Sequence, residues 1–130
     1  MKISNEAYRR LLNNSIKAKE NKYHNKKTIV DNIEFDSKKE SIRYMQLKLL
    51  EKSGLISELE LQKKFELQPA YINNKGKHIR AINYIADFFY YDNQKKQYIV
   101  EDTKGYRNEV YLIKKKMFEY VYPNLTIDET

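Results

Sequence analysis

The segment Tyr98-Ile99-Val100-Glu101-Asp102-Thr103-Lys104-Gly105 sets two acids and a lysine at the polar end of an apolar, strand-like run. A second run, Ala81-Ile82-Asn83-Tyr84-Ile85-Ala86-Asp87, also ends on an aspartate. Were the two runs neighbouring strands, Asp87, Asp102 and Lys104 would meet at one edge of a sheet. Carboxylates beside an ammonium group suit a divalent metal and a phosphate, because hard cations take oxygen ligands and the ammonium is a compact positive charge. Cysteine is absent and only His24 and His78 offer imidazole. A metal must then be held mainly by carboxylates, which points to magnesium or manganese rather than zinc.

An acid, any residue, then lysine is a weak pattern in so charged a chain. It occurs as Glu20-Asn21-Lys22, Asp36-Ser37-Lys38 and Asp102-Thr103-Lys104, about as often as composition alone predicts. Only the last ends an apolar strand, precedes a glycine and follows another strand that delivers an aspartate. Side chains alternate along a strand, so Asp102 and Lys104 share a face while Glu101 points away with Ile99 and Thr103. Asp102 is therefore the expected ligand and Glu101 its competitor. Each residue also has an ordinary structural alternative. Asp102 and Lys104 would serve as a solvated ion pair. Asp87, flanked by Ala86 and Phe88, would serve as a strand-end cap. Glu40 stands three residues after Ser37, where it completes a helix capping box, although a first-turn glutamate is also able to point at the acidic cluster.

The chain has 130 residues and a formal net charge of +7, enough for one compact domain and suggestive of an anionic partner, nucleic acid before membrane. No stretch approaches the ~20 apolar residues of a membrane span, and no secretory h-region opens the chain, so a cytoplasmic protein is expected.

The elements that must position these residues follow from periodicity. A leader helix is expected over Ser4–Glu20, in an arm covering residues 1–21, ahead of a single domain over 22–130. The stretch from Thr28 to Phe35 reads as a hairpin about Asp31-Asn32, and a helix starts at Ser37 and ends at Gly54. Alternation from Leu59 to Pro69 marks a strand, Asn73–Gly76 a turn, His78–Tyr91 a central strand and Gln97–Lys104 a third. Val110, Ile113, Met117 and Tyr120 recur at helical spacing up to Pro123. The expected fold is thus α/β: helix, three-stranded meander, helix, with a short hairpin in front.

These residues together resemble the PD-(D/E)XK nuclease superfamily. The likeness covers roughly residues 22 to 121, and the runs Phe35-Asp36-Ser37-Lys38-Lys39-Glu40 and Val100-Glu101-Asp102-Thr103-Lys104-Gly105 look like a small phage-encoded family within it. The layout is shared by Holliday-junction resolvases and transposon end-cleaving nucleases. Ala86 replaces the proline of the superfamily's name, and Glu101 precedes the triplet as a rival acid. The resemblance implies a restriction-endonuclease-like core and a magnesium- or manganese-dependent DNA endonuclease, in the cytoplasm of a bacterial host if phage-encoded. It implies catalytic Glu40, Asp87, Asp102 and Lys104, with metal held by Asp87, Asp102, the Thr103 carbonyl and Glu40. Gln62 is similar to a glutamine near the site of some relatives.

Phosphate contacts are expected from Lys114, Lys115, Lys116, Arg107, Lys63, Lys64, Lys26 and Lys27, each salt-sensitive, although a lysine run also reads as a solvated helix face. Tyr84, Tyr90, Tyr91 and Tyr98 are expected in the core rather than stacked on bases. Resolution of a junction would require a homodimer. A non-catalytic DNA-binding or assembly module on the same fold is the competing expectation.

Overall fold

The computed structural model describes residues 17–20, 26–103 and 107–130, with side chains from residue 27 onward. The chain divides between Leu59 and Glu60 into two compact units. It is a mixed α/β protein with two helices among the described residues.

In the first unit, β1 (Lys17–Glu20), β2 (Lys26–Val30) and β3 (Ile33–Phe35) form an antiparallel sheet in that order. The expected hairpin is present, and Asp31 and Asn32 at its turn have φ of 53° and 63°. Both central residues are left-handed, as the twist of a two-residue hairpin requires. The leader-helix expectation is corrected at Lys17–Glu20, which pairs with β2 as a strand; the rest of the leader lies outside the described residues. Helix α1 (Lys38–Lys52) begins where expected: the Ser37 side chain accepts the Glu40 amide at 3.1 Å, and Gly54 follows the helix with φ 83°. It packs on β2 and β3 through Phe35 and Tyr44, whose ring centroids lie 5.1 Å apart. The Tyr44 hydroxyl donates to Asp31 Oδ2 at 2.9 Å, which ties the helix to the hairpin turn.

Strand β4 (Ile56–Gln68) begins earlier than its alternation suggests and runs on into the second unit. There the short ribbon β5 (Tyr71–Ile72) and β6 (His78–Ile79) leads to β7 (Ile82–Asp92) and β8 (Gln97–Asp102). Helix α2 (Glu109–Val121), capped by Asn108, is followed by β9 (Ile127–Glu129). The sheet order is β4-β7-β8-β9. The three-stranded meander therefore needs correction: a fourth strand returns after Pro123 and lies parallel to β8, pairing Val100 with Ile127 and Asp102 with Glu129. The central run is also split, with β6 and β7 separated at Arg80-Ala81.

One face of this sheet carries α2 over a core of Phe65, Leu67, Tyr84, Ala86, Val100, Tyr111, Phe118 and Ile127. Phe118 has no exposed surface and meets the rings of Phe65, Tyr84 and Tyr122 at 5.0, 5.4 and 5.2 Å. Phe118→Ala should lower unfolding free energy by about 3–5 kcal/mol through lost burial and the cavity left behind, read as an earlier midpoint in urea.

Candidate functional site

Strands β7 and β8 are antiparallel, with Phe88 opposite Glu101 and Asp92 opposite Gln97. Extending that register sets Asp87 beside Asp102. The alternation of β7 breaks just before this point: Tyr84 and Phe89, an odd number of residues apart, both pack on the Phe65 ring. Such a change of face is what a β-bulge produces, and bulges re-aim side chains. Asp87 sits at the break. Its Oδ2 accepts both the Thr103 amide and the Thr103 hydroxyl, each at 2.9 Å. Its Oδ1 takes a long bond from Gln62 Nε2 at 3.5 Å, and Gln62 has φ 51°. A left-handed glutamine inside a strand is a backbone cost that its neighbours must sustain.

The two acids of β8 face opposite ways, as parity requires. Asp102 is 0 % exposed and its Oδ2 accepts the Tyr84 hydroxyl at 2.6 Å. Glu101 is 1 % exposed and accepts from the Tyr90 hydroxyl. Tyrosine is a suitable partner because a neutral donor satisfies a carboxyl oxygen without adding a buried charge. Burial, then the bond to Asp102, holds the Tyr84 hydroxyl far above the usual phenol range, with smaller pushes from Tyr111 and Asp87. Tyr84 thus feels both aspartates and stays protonated between them. Tyr84 and Tyr90 lie in the core as expected, but with their hydroxyls committed to the acids. Tyr98 instead stacks on Phe89 at 5.1 Å and stays partly exposed.

Periodicity gives no sign of Glu129, because β9 is too short to show an alternation. Its register places Glu129 beside Asp102 on the α2 face. Glu129 accepts from the Tyr111 hydroxyl at 2.9 Å and pairs with Lys115 Nζ at 2.8 Å and Arg107 Nε at 3.0 Å. Two of the expected phosphate-binding cations are thereby drawn together on an internal carboxylate. Lys63 pairs with Glu60 at 3.1 Å and Lys27 with Glu34 at 3.3 Å. Lys64 and Lys116 are exposed and Lys114 is half-buried. Glu40 belongs to the first unit, where it is buried in the first turn of α1. Lys104 and the side chain of Lys26 lie outside the described residues. Among the described residues no group of three or more His, Asp or Glu side chains is arranged to hold a metal, and no helix is long and apolar enough to cross a membrane.

The chain belongs to the family DUF1064, described as a protein of unknown function, whose model matches residues 20–129. No curated protein and no solved structure matches it.

The hydrogen bond from Lys115, reinforced by Tyr111, holds the Glu129 carboxyl below the usual glutamate range, against the opposing effect of its burial. A carboxylate depressed in this way stabilises the fold above its unfolded-state pKa, and that stabilisation is lost as pH falls through the lowered folded value. Glu129→Gln should cost about 1–2 kcal/mol near neutral pH by weakening charge-assisted bonds. Urea melts at decreasing pH should show the gap to wild type closing below the ordinary glutamate range.

Proposed function

We propose that this chain is a metal-dependent DNA endonuclease that hydrolyses phosphodiester bonds, in the manner of the PD-(D/E)XK nucleases its motifs resemble. The observation that carries it is the double hydrogen bond from Thr103 to Asp87. It joins the β7 acid to the middle residue of the Asp102-Thr103-Lys104 triplet, across a gap in sequence that nothing local bridges.

The donor chemistry fits magnesium. Asp87, Asp102 and the Thr103 carbonyl supply only hard oxygens, and magnesium is commonly bound by one or two carboxylates while keeping water and taking substrate oxygens. Those three groups would hold it. When bound, such an ion lowers the pKa of coordinated water and neutralises charge on the scissile phosphate. The rest falls to the chain. Tyr84, by donating to Asp102, favours the ionised carboxylate that a cation needs. Thr103 fixes the rotamer of Asp87. Lys104 orients the attacking water and offsets the negative charge that grows on the phosphate. A preference for branched DNA such as a Holliday junction, in phage recombination, replication or packaging, belongs to the same proposal. It brings a homodimer with it, since two strands must be cut symmetrically.

A non-catalytic DNA-binding or assembly module is the second reading. It is favoured by the complete burial of Asp102 with its Oδ2 on the Tyr84 hydroxyl, a contact that gives this oxygen a structural role. Calorimetry with magnesium separates the two: the nuclease shows heat that Asp87→Asn removes, and the module shows none.

Asp87→Asn and Lys104→Ala should each reduce magnesium-dependent cleavage by about 10³-fold or more while leaving far-UV circular dichroism and DNA affinity nearly intact. Cleavage of four-way, flapped, single-stranded and linear DNA, run beside the solution mass, reads both the preference and the dimer. Full activity in either variant refutes the site.

A further inference from the structure

Between β4 and β7 the chain makes a ribbon that no core explains. From Leu67 to Ala86 there is no Asp or Glu, yet Lys75, Lys77, His78 and Arg80 fall within it. All four are exposed, as are Tyr71 at 50 % and Ile72 at 61 %. The pairs are Tyr71 with Ile79 and Ile72 with His78. One face of the ribbon therefore carries Tyr71, Ile79 and Lys77, and the other Ile72, His78 and Arg80. Both faces mix apolar and cationic groups, and among the described residues none of the three strong cations is ion-paired.

A two-stranded hairpin this short is marginal by itself in water. Even so, its turn is closely specified. The Asn73 amide donates to the Lys77 carbonyl at 2.9 Å and the Gly76 amide to the Asn73 carbonyl at 3.0 Å. The Asn73 side chain accepts the amides of Lys75 at 2.9 Å and Lys77 at 3.0 Å. Gly76 has φ 78°, and a Cβ there would meet nothing, so conformation rather than space calls for glycine. The shape is thus set in advance of any partner, which lowers the entropy cost of binding.

We infer that this ribbon is a DNA-binding element: it lies in a groove of duplex DNA, with Lys75, Lys77 and Arg80 on the flanking phosphates. The major groove admits a two-stranded ribbon, and an acid-free cationic tip complements its walls. Topology joins the ribbon directly to the strand that carries Asp87. It leads directly into β7, whose first residue, Ile82, lies about 16 Å along the strand from Asp87. The Asp92–Lys96 turn between β7 and β8 is at the opposite end of β7 and carries Lys95 and Lys96, a basic pair away from the ribbon that serves as a control, with two charges against the ribbon's three. The assignment of duplex DNA as partner rests on the nuclease proposal above; the ribbon's geometry does not.

The test is fluorescence anisotropy of the whole protein on labelled duplex DNA in EDTA, so that no cleavage occurs, over a range of salt. Lys75→Ala/Lys77→Ala/Arg80→Ala should lose at least about tenfold in affinity and flatten the log–log salt slope by roughly 2.7, while Lys95→Ala/Lys96→Ala changes either by less than about a third as much. Gly76→Val keeps every charge but strains the turn, and should weaken binding several-fold at an unchanged slope. An unaltered triple variant, an equal loss in the Lys95/Lys96 control, or wild-type affinity in Gly76→Val overturns the ribbon. Absence of magnesium-dependent cleavage by wild type, with the ribbon losses intact, overturns only the nuclease reading.

Discussion

A carboxyl group withdrawn from water is costly unless protein groups replace its hydration, and β8 withdraws two in succession, Glu101 and Asp102. Because adjacent residues face opposite sides of the sheet, one partner cannot serve both. Tyr84 and Tyr90 answer that demand from β7. The second unit is built around this arrangement: the strand that supplies the tyrosines also supplies Asp87, and its break in alternation brings that acid onto Thr103.

The tyrosines consequently carry two loads. Tyr84 packs on Phe65 and Phe118 while its hydroxyl holds Asp102. Tyr111, on α2, packs near Tyr84 and donates to Glu129. A phenol suits such a place because its body joins the core and its tip satisfies a polar group. Phenylalanine would keep the packing and strand the acid; a charged partner would satisfy the acid and bring its own desolvation cost. Core and candidate site are therefore one piece of structure.

The same economy governs the cations. A net charge of +7 suggests a wide basic surface, but Arg107 and Lys115 are turned onto Glu129 and Lys63 onto Glu60. Proximity in sequence to the acidic strand says little about which lysines remain available to a phosphate. An internal acid competes for them at short range, where it outweighs the diffuse attraction of a distant polyanion.

Local patterns determined by themselves the Asp31-Asn32 hairpin, the helix capped by Ser37, the turn at Asn73–Gly76 and the helix after Asn108, because capping, positive φ and periodicity are decided within a few residues. The approach of Asp87 to the acidic triplet was also legible, since two apolar runs ending on acids need only be neighbours. Tertiary structure alone decided the rest. β9 is too short for a period and exists because β8 offers it an edge. The end of Ser4–Glu20 pairs as a strand where its composition favours a helix, because β2 supplies a partner. The tyrosine partners of Asp102 and Glu101, the change of face at Asp87 and the cations gathered on Glu129 depend on contacts across many residues. Such contacts form only when separate elements pack, and no local pattern records them.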